Sequence, residues 1–477
     1  MIELSGNIID YIRENFGEDF LSRYREYYNS EYNPYLRTSA FTDKPVLIER
    51  LKKYGIELLE ISGVPNAYRI LSGADVAGKT LEFILGKYYI QSLSSMIPAL
   101  VLNPNETDTV LDLCAAPGSK TTQLAEMMNN KGTLIANELS MDRLKSLVFN
   151  IDKMNLVNVG VLHGKGELLS KQFENRFDKI LVDAPCSALG IVQKKGEVSN
   201  WWDLRKAESI SDLQLRLLIA AIKMCKVDGE IVYSTCTLTL EENERVLNTV
   251  LKKYPVELEK IKLPVKSHGG FTKIEDEELN PLLNRAQRIY PWEVESEGFF
   301  VSKLRKTDLT EPTEKIHWSE KKIEFVKSSS GKIKNYLERL SNHFGIPIQK
   351  FTEYKYFFKS NDVGFINASW ESDHLDSFNR IGTRFGTIDK HGNLILNSLA
   401  VQTLGGSITK NMYAIESKAE LETYFNGGTI KKNFEKGGQR AVMFDGYILG
   451  SGSASKEGLK SQFPRAFRTQ EIILPEF

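Results

Sequence analysis

Val110-Leu111-Asp112-Leu113-Cys114-Ala115-Ala116-Pro117-Gly118-Ser119-Lys120-Thr121 is the stretch that decides the fold class of this chain. It reads as a buried strand, a tight loop of small residues and the start of a helix. Small side chains let a ligand approach the backbone, Gly118 admits conformations denied to other residues, and a helix N-terminus offers free N–H groups. The loop is not a Walker loop, because the spacing between the glycines and the Lys-Ser/Thr pair is wrong, and it lacks the G-x-G-x-x-G of dinucleotide folds. Outward from it, short apolar runs alternate with helical patterns. Strands are predicted at Thr109–Leu113, Thr133–Asn137, Val159–Leu162, Lys179–Asp183, Glu230–Ser234 and Phe299–Leu304. The helices between them include Lys120–Met128, Met141–Met154, Ala207–Cys225 and Glu241–Lys253. This alternation predicts an α/β fold with a mostly parallel sheet covered by helices on both faces.

Three strand ends carry chemistry. The strand after the loop ends at Glu138, where a carboxylate can accept hydrogen bonds from ribose hydroxyls. Two further strands end in matching ways, Ile180-Leu181-Val182-Asp183-Ala184-Pro185-Cys186-Ser187 and Ile231-Val232-Tyr233-Ser234-Thr235-Cys236-Thr237. Each delivers a cysteine just past a strand's C-terminal end, the edge at which doubly wound sheets bind ligands. Neighbouring strands lie about 4.8 Å apart, so both thiols can face one pocket. Cys225, in the apolar stretch Leu213–Cys225, reads instead as a small buried hydrophobe.

Upstream, Ser5–Tyr28 and Lys44–Leu59 are amphipathic helical stretches, with a strand expected at Arg37–Phe41, which together predict a small N-terminal α/β domain. After Leu304 the chain turns polar through Ser328-Ser329-Ser330-Gly331, with Pro312 inside it, which predicts a linker. Beyond Ile381 short strands separated by Gly405-Gly406, Gly427-Gly428 and Gly437-Gly438 predict a compact β-rich module. The expected division is 1–80, 81–306, 307–380 and 381–477. Lys plus Arg equal Asp plus Glu at 62 each, so any basic surface is local. Four cysteines without metal-knuckle or disulfide spacing, a first segment without signal character and no apolar run of membrane length predict a cytoplasmic protein with no membrane anchor and no metal.

The motifs Tyr88-Tyr89-Ile90-Gln91 with Ser94-Ser95, Asp112 to Thr121, Asp183-Ala184-Pro185-Cys186-Ser187, Ser234-Thr235-Cys236-Thr237 and Gly298-Phe299-Phe300-Val301 occur together and in order. In this the chain resembles the Nol1/Nop2/Sun (RsmB/NOP) family of RNA 5-methylcytosine methyltransferases, from about Tyr88 to Leu304. Asn129-Asn130-Lys131-Gly132, Glu241-Glu242-Asn243-Glu244 and Lys456 to Arg465 resemble its bacterial small-subunit (16S) rRNA subgroup. The resemblance implies a class I (Rossmann-like) S-adenosyl-L-methionine-dependent methyltransferase domain, with a C-terminal PUA-like RNA-binding module. It assigns Cys236 as nucleophile and Cys186 as the cysteine that assists product release. Cys114, Ala115, Ala116, Pro117, Gly118, Ser119, Lys120, Glu138 and Asp183 match cofactor-contact positions. Ribosomal RNA or the small ribosomal subunit, with transfer RNA as the alternative, would be the partner of a monomeric enzyme. An RNA-binding assembly factor without turnover is the reading from another class.

The chemistry explains the thiol. Carbon 5 of cytosine is a poor nucleophile, but a thiolate adding at carbon 6 produces an enamine whose carbon 5 can attack a sulfonium methyl. Asp183 would raise a neighbouring thiol's pKa, so its better task is to hold the pyrimidine edge at the exocyclic amine or a protonated ring nitrogen. Lys165 stands where the family usually has an adenine-contacting Asp, so Glu167 or main chain must substitute. Arg37-Thr38-Ser39 has Ser for the usual Asn, and Gln193 replaces a common Arg.

Overall fold

The computed structural model describes residues 4–194, 196–312, 323–468 and 471–473. The alternating apolar runs form parallel strands Thr109–Asp112, Thr133–Glu138, Val159–His163, Phe177–Asp183 and Cys225–Thr235, joined through helical crossovers. Side-chain alternation explains why these runs are apolar throughout. Leu111, Ile135, Ile180, Val182 and Ile231 pack into one core, while Val110, Leu134, Ala136, Leu181 and Val232 pack into another on the opposite face. Each of these Leu, Ile and Val side chains stabilises the fold by about 1.5–3 kcal/mol through burial alone.

Across the sheet the order is Cys225, Phe177, Thr109, Thr133, Val159, naming each strand by its first residue. The chain therefore steps one way from Thr109 to Val159 and then crosses to the other side at Phe177. The reversal at the Thr109 strand opens a crevice at the strands' carboxyl ends. Phe299–Lys306 adds antiparallel to Cys225–Thr235, pairing Phe300 with Thr235 and Arg305 with Glu230. At the opposite edge Phe378–Ile381 adds antiparallel to Val159–His163. A strand from the C-terminal half thus completes the central sheet.

The N-terminal helical stretch is two helices, Gly6–Phe16 and Glu18–Tyr28, because Gly17 turns the backbone to φ 84° between them. Their apolar faces, including Ile8, Tyr11, Ile12 and Tyr24, pack on Leu189, Val192 and Trp202 of the catalytic half. The stretch Lys44–Leu59 is a helix only to Lys52, and Glu57–Glu60 is a strand. The strand expected at Arg37–Phe41 runs Tyr35–Thr38, in a four-stranded sheet with Glu57–Glu60, Ala67–Ser72 and Tyr88–Ile90. The last of these lies beyond residue 80, so the chain does not divide there.

Nor does it divide at 380. A five-stranded antiparallel sheet contains Asp362–Asn367 and Thr383–Ile388 as neighbours, and Phe385 shares its core with Phe365. A second five-stranded sheet, Met412 to Ser461, packs against the N-terminal domain through Leu81, Ile84 and Leu85. Phe463 and Phe467 belong to that core. The expected linker falls partly on residues 313–322, outside the described residues. Among those described, no helix is long and apolar enough to cross a membrane.

Candidate active site

A cavity of about 770 Å³ opens at the carboxyl ends of the strands. Its wall includes Cys114, Ala115, Ala116, Pro117, Ser119, Lys120, Glu138, Asp183, Cys186 and Cys236, all from the residues singled out by motif. Gly118 alone of that set does not line it. It caps the helix Ser119–Met127 at φ 109°, with Leu147 against its backbone. The loop is fixed at its other end by the Ala115 N–H, which donates to Asn137 O at 2.8 Å.

Asp183 and Ser234 are register partners on adjacent parallel strands, and three residues past Asp183 and two past Ser234 the two cysteines meet. Both thiols line the same cavity. The neighbouring Cys236, burial and the field of Glu242 push the Cys186 thiol well above its ordinary pKa, which keeps it protonated. The loops carrying the two cysteines approach as closely as backbone allows. Gly190 N donates to Cys236 O at 3.0 Å, and Gly298 N to Gly190 O at 2.8 Å. A β-carbon at Gly190 would overlap Gly298 O and come within 2.8 Å of Cys236 O. Cys225 is elsewhere, fully buried as the first residue of its strand rather than in the helix, which ends at Met224.

Lys120 is buried in the site. Its ammonium donates to Asp183 Oδ2 at 2.7 Å and Ser95 Oγ at 2.9 Å, and sits 5.3 Å from the Phe299 ring centroid. Burial disfavours the ammonium, but the Asp183 charge and hydrogen bond outweigh it and raise its pKa. Ser234 Oγ donates to the other Asp183 oxygen at 2.8 Å. Asp183 is therefore held by both oxygens in one orientation.

On the other side of the loop, Glu138 is buried and accepts from the Ser140 N–H at 2.8 Å. Asp112 is fully buried. Thr121 donates to its Oδ2 at 2.6 Å, while Oδ1 has no hydrogen-bond partner. Burial and the nearby Asp183 push its carboxyl up to about 7, against the Thr121 hydrogen bond. Glu167 lines the cavity, whereas Lys165 is exposed outside it.

Some of what builds the site carried no signal in the sequence. Glu297 lines the cavity and binds Lys194 at 3.1 Å and Ser92 at 2.6 Å, although nothing in the sequence brings residues 92, 194 and 297 together. Arg37 is buried in an ion pair with Glu126 and donates to Gln91 and Thr122 at 3.0 Å. Gln193 is likewise spent on protein, donating to Tyr27 O and Ser30 O at 3.0 Å.

Residues 99–305 match the family model described as 16S rRNA methyltransferase RsmB/F. The Ribosomal RNA small subunit methyltransferase F of Vibrio cholerae is 31% identical over 394 residues, covering 81% of this chain and 80% of that one. The chain belongs to the RsmB/F family. The enzyme of the same name from Shewanella piezotolerans is 29% identical over 98% of this chain and 97% of its own. The tRNA (cytosine(49)-C(5))-methyltransferase of Pyrococcus abyssi is 39% identical over 229 residues, 48% of this chain and 73% of that one. The structure of NSun6 from Pyrococcus horikoshii with SFG superposes with a TM-score of 0.56 at 25% identity, covering 64% of this chain and 98% of that one.

As an RsmB/F member the protein is an S-adenosyl-L-methionine-dependent RNA cytosine-C5 methyltransferase. The cavity fits this cofactor. Asp112 Oδ1 is a buried acceptor without a donor, suited to an ammonium, and Glu138 offers a carboxylate to hydroxyls.

Proposed function

We propose that this enzyme methylates carbon 5 of a cytosine in small-subunit (16S) ribosomal RNA, with Cys236 as nucleophile and Cys186 assisting release. The observation that carries the roles is the meeting of two thiols in one cavity beside an Asp183 held by Lys120 and Ser234. The choice of RNA rests on relatives similar along nearly the whole chain, which bear ribosomal names.

The cofactor supplies a methyl group on a sulfonium sulfur, which leaves as a neutral thioether. Cys236 Sγ, as thiolate, bonds to carbon 6 of the cytosine, and the displaced electron pair makes carbon 5 nucleophilic. Asp183 accepts hydrogen bonds from the exocyclic amine or a protonated ring nitrogen. Its own two partners fix the direction from which the ring is held. Carbon 5 takes the methyl group and later loses its proton to a base. The C5–H electron pair then restores the C5=C6 double bond, and the C6–S pair leaves with Cys236 Sγ. Cys186, kept protonated, gives its proton to that departing sulfur. Cys114, Ala115, Ala116, Pro117, Ser119 and Glu138 wall the cofactor side, with Gly118 shaping the loop.

The sheet spanning Met412 to Ser461 is read as a PUA-like module that recruits RNA. Lys431, Lys436, Lys456, Lys460 and Arg465 are exposed on it, free to meet phosphates. Phe463 and Phe467 are buried, so the recruitment is electrostatic rather than by stacking. The four cysteines are free thiols, which supports a reducing cytoplasm as its setting.

A second reading, transfer RNA, is favoured by the higher identity of the archaeal tRNA enzyme within the catalytic half. Labelled methyl transfer to separated 16S rRNA, small subunits and tRNA from cells lacking the gene decides. Incorporation only into tRNA overturns the ribosomal reading, and none into any pool with Cys236 intact overturns the catalytic one. On a denaturing gel, Cys186→Ala should show a persistent protein–RNA band and Cys236→Ala none. The opposite pattern reverses the two roles.

A further inference from the structure

Behind the cysteine pair lies a carboxylate that touches neither thiol but binds both loops. Glu242 is fully buried, in the π-helical turn Glu241–Arg245 that follows the Cys236 loop. Its Oε2 accepts from the Ser187 N–H at 2.8 Å and from Gln214 Nε2 at 2.9 Å, and its Oε1 from Thr239 Oγ1 at 2.8 Å. Gln214 Nε2 also donates to Pro185 O at 2.8 Å. The residues immediately before and after Cys186 are therefore both tied to Glu242, one directly and one through Gln214. A second tie runs between the loops themselves, where Ser187 Oγ and Thr237 Oγ1 lie 3.0 Å apart and Trp202 Nε1 donates to the former at 3.1 Å. Tyr233 OH fixes the main chain of Glu242 at 2.5 Å.

Burial raises the Glu242 pKa, yet all of these side-chain partners are donors, so the carboxylate is the form the surroundings are built for. Short π turns of this kind are frequent at functional sites, where they re-aim a side chain that a regular helix would carry elsewhere.

We propose that Glu242 is the positioning residue for the release step, holding the backbone on both sides of Cys186 so that its thiol stays against Cys236 as the methylated base departs. This rests on the reading of Cys186 as the release residue.

Two substitutions separate a brace from a charge. Glu242→Gln keeps an oxygen for Ser187 and Gln214 and can turn its amide to Thr239, whereas Glu242→Met keeps the length and removes every bond. RNA from cells lacking the gene and labelled cofactor are mixed with excess enzyme. The methyl groups transferred in the first turnover and the lifetime of the covalent protein–RNA band are then followed, with Cys186→Ala alongside. Thermal unfolding reports whether each variant is folded. The expected result is first-turnover transfer within about threefold of wild type for both Glu242 variants. The band should persist at least tenfold longer for Cys186→Ala and Glu242→Met, and close to wild type for Glu242→Gln. If Glu242→Met does not fold, Gln214→Met, which cuts the link to Pro185, takes its place and should prolong the band in the same way.

A folded Glu242→Met, or its substitute, that clears the band at the wild-type rate while Cys186→Ala does not overturns the proposal and leaves the role of Cys186 standing. Loss of first-turnover transfer in Glu242→Met overturns it too, because the brace would then serve Cys236. So does a stalled Glu242→Gln, which would make the charge the cause. If Cys186→Ala leaves no lasting band, the release reading fails and this proposal fails with it.

Discussion

Lys153 should weaken this protein at neutral pH, and replacing it should strengthen the fold. The side chain ends the helix Met141–Lys153 and is 3% exposed. Its ammonium faces three aromatic rings, with centroids 3.7 Å away for Phe83, 5.3 Å for Tyr89 and 5.9 Å for Phe149. Burial alone pushes its pKa down from 10.5 to about 7. At about 1.4 kcal/mol per pH unit, that displacement amounts to about 5 kcal/mol against folding at pH 7. Cation–π attraction returns about 1–2 kcal/mol. Lys153→Met, which keeps the unbranched stem, should therefore stabilise the protein by about 3–4 kcal/mol near neutrality.

The sign of the pH dependence follows from the depressed value. Between about pH 7 and 10.5 the unfolded chain holds the proton and the folded chain does not, so wild-type stability rises with pH across that window. The gap between wild type and Lys153→Met should narrow from pH 7 to pH 10 and stay constant below 7. Urea unfolding midpoints at half-unit pH steps measure it. A variant no more stable than wild type at pH 7.5, or a gap that ignores pH, would refute the reasoning.

Cofactor affinity should climb with pH up to about 7 and then level, because the cofactor's ammonium needs Asp112 ionised; calorimetry should find that dependence absent in Asp112→Asn. Arg37→Met should lower stability by about 3–5 kcal/mol by stranding Glu126 without its buried partner, as read by chemical denaturation. Lys165→Asp should change cofactor affinity less than about threefold, since Lys165 is exposed outside the cavity; a tenfold loss, about 1.4 kcal/mol, would mean it makes a contact of its own. A chain cut after residue 380 should be poorly soluble because Asp362–Asn367 loses one of its two partner strands and leaves an open edge, whereas a cut after residue 410 should keep that sheet and lose salt-sensitive RNA affinity.

The central sheet was legible because parallel strands buried on both faces are continuous apolar runs, and the strands at Thr109, Thr133 and Val159 begin where the pattern does. The cysteine pair was legible for the same reason, since matched strand ends in a doubly wound sheet converge. What escaped depends on distance along the chain. Glu242 stands in a helix-start run of acids until Ser187, Gln214 and Thr239 surround it, and nothing near Arg37 in sequence announces its burial against Glu126. Phe463 and Phe467 sit among basic residues in sequence yet turn inward, because a small β module needs its aromatic rings for a core. The division at 380 failed because glycine-rich turns mark hairpins within a sheet as readily as its limits.

The strand Phe378–Ile381 on the edge of the catalytic sheet has a consequence for how the protein is made. Val159–His163 emerges from the ribosome about two hundred residues before the neighbour that covers it. At about 5–20 residues per second its hydrogen-bonding edge stays open for about 10–40 s. For that interval the nascent enzyme offers a template for pairing with other chains, and the bidentate Arg380–Asp152 ion pair that closes the seam arrives with the same late strand. Synthesis of the far half, rather than of the catalytic residues themselves, is what ends the vulnerable period.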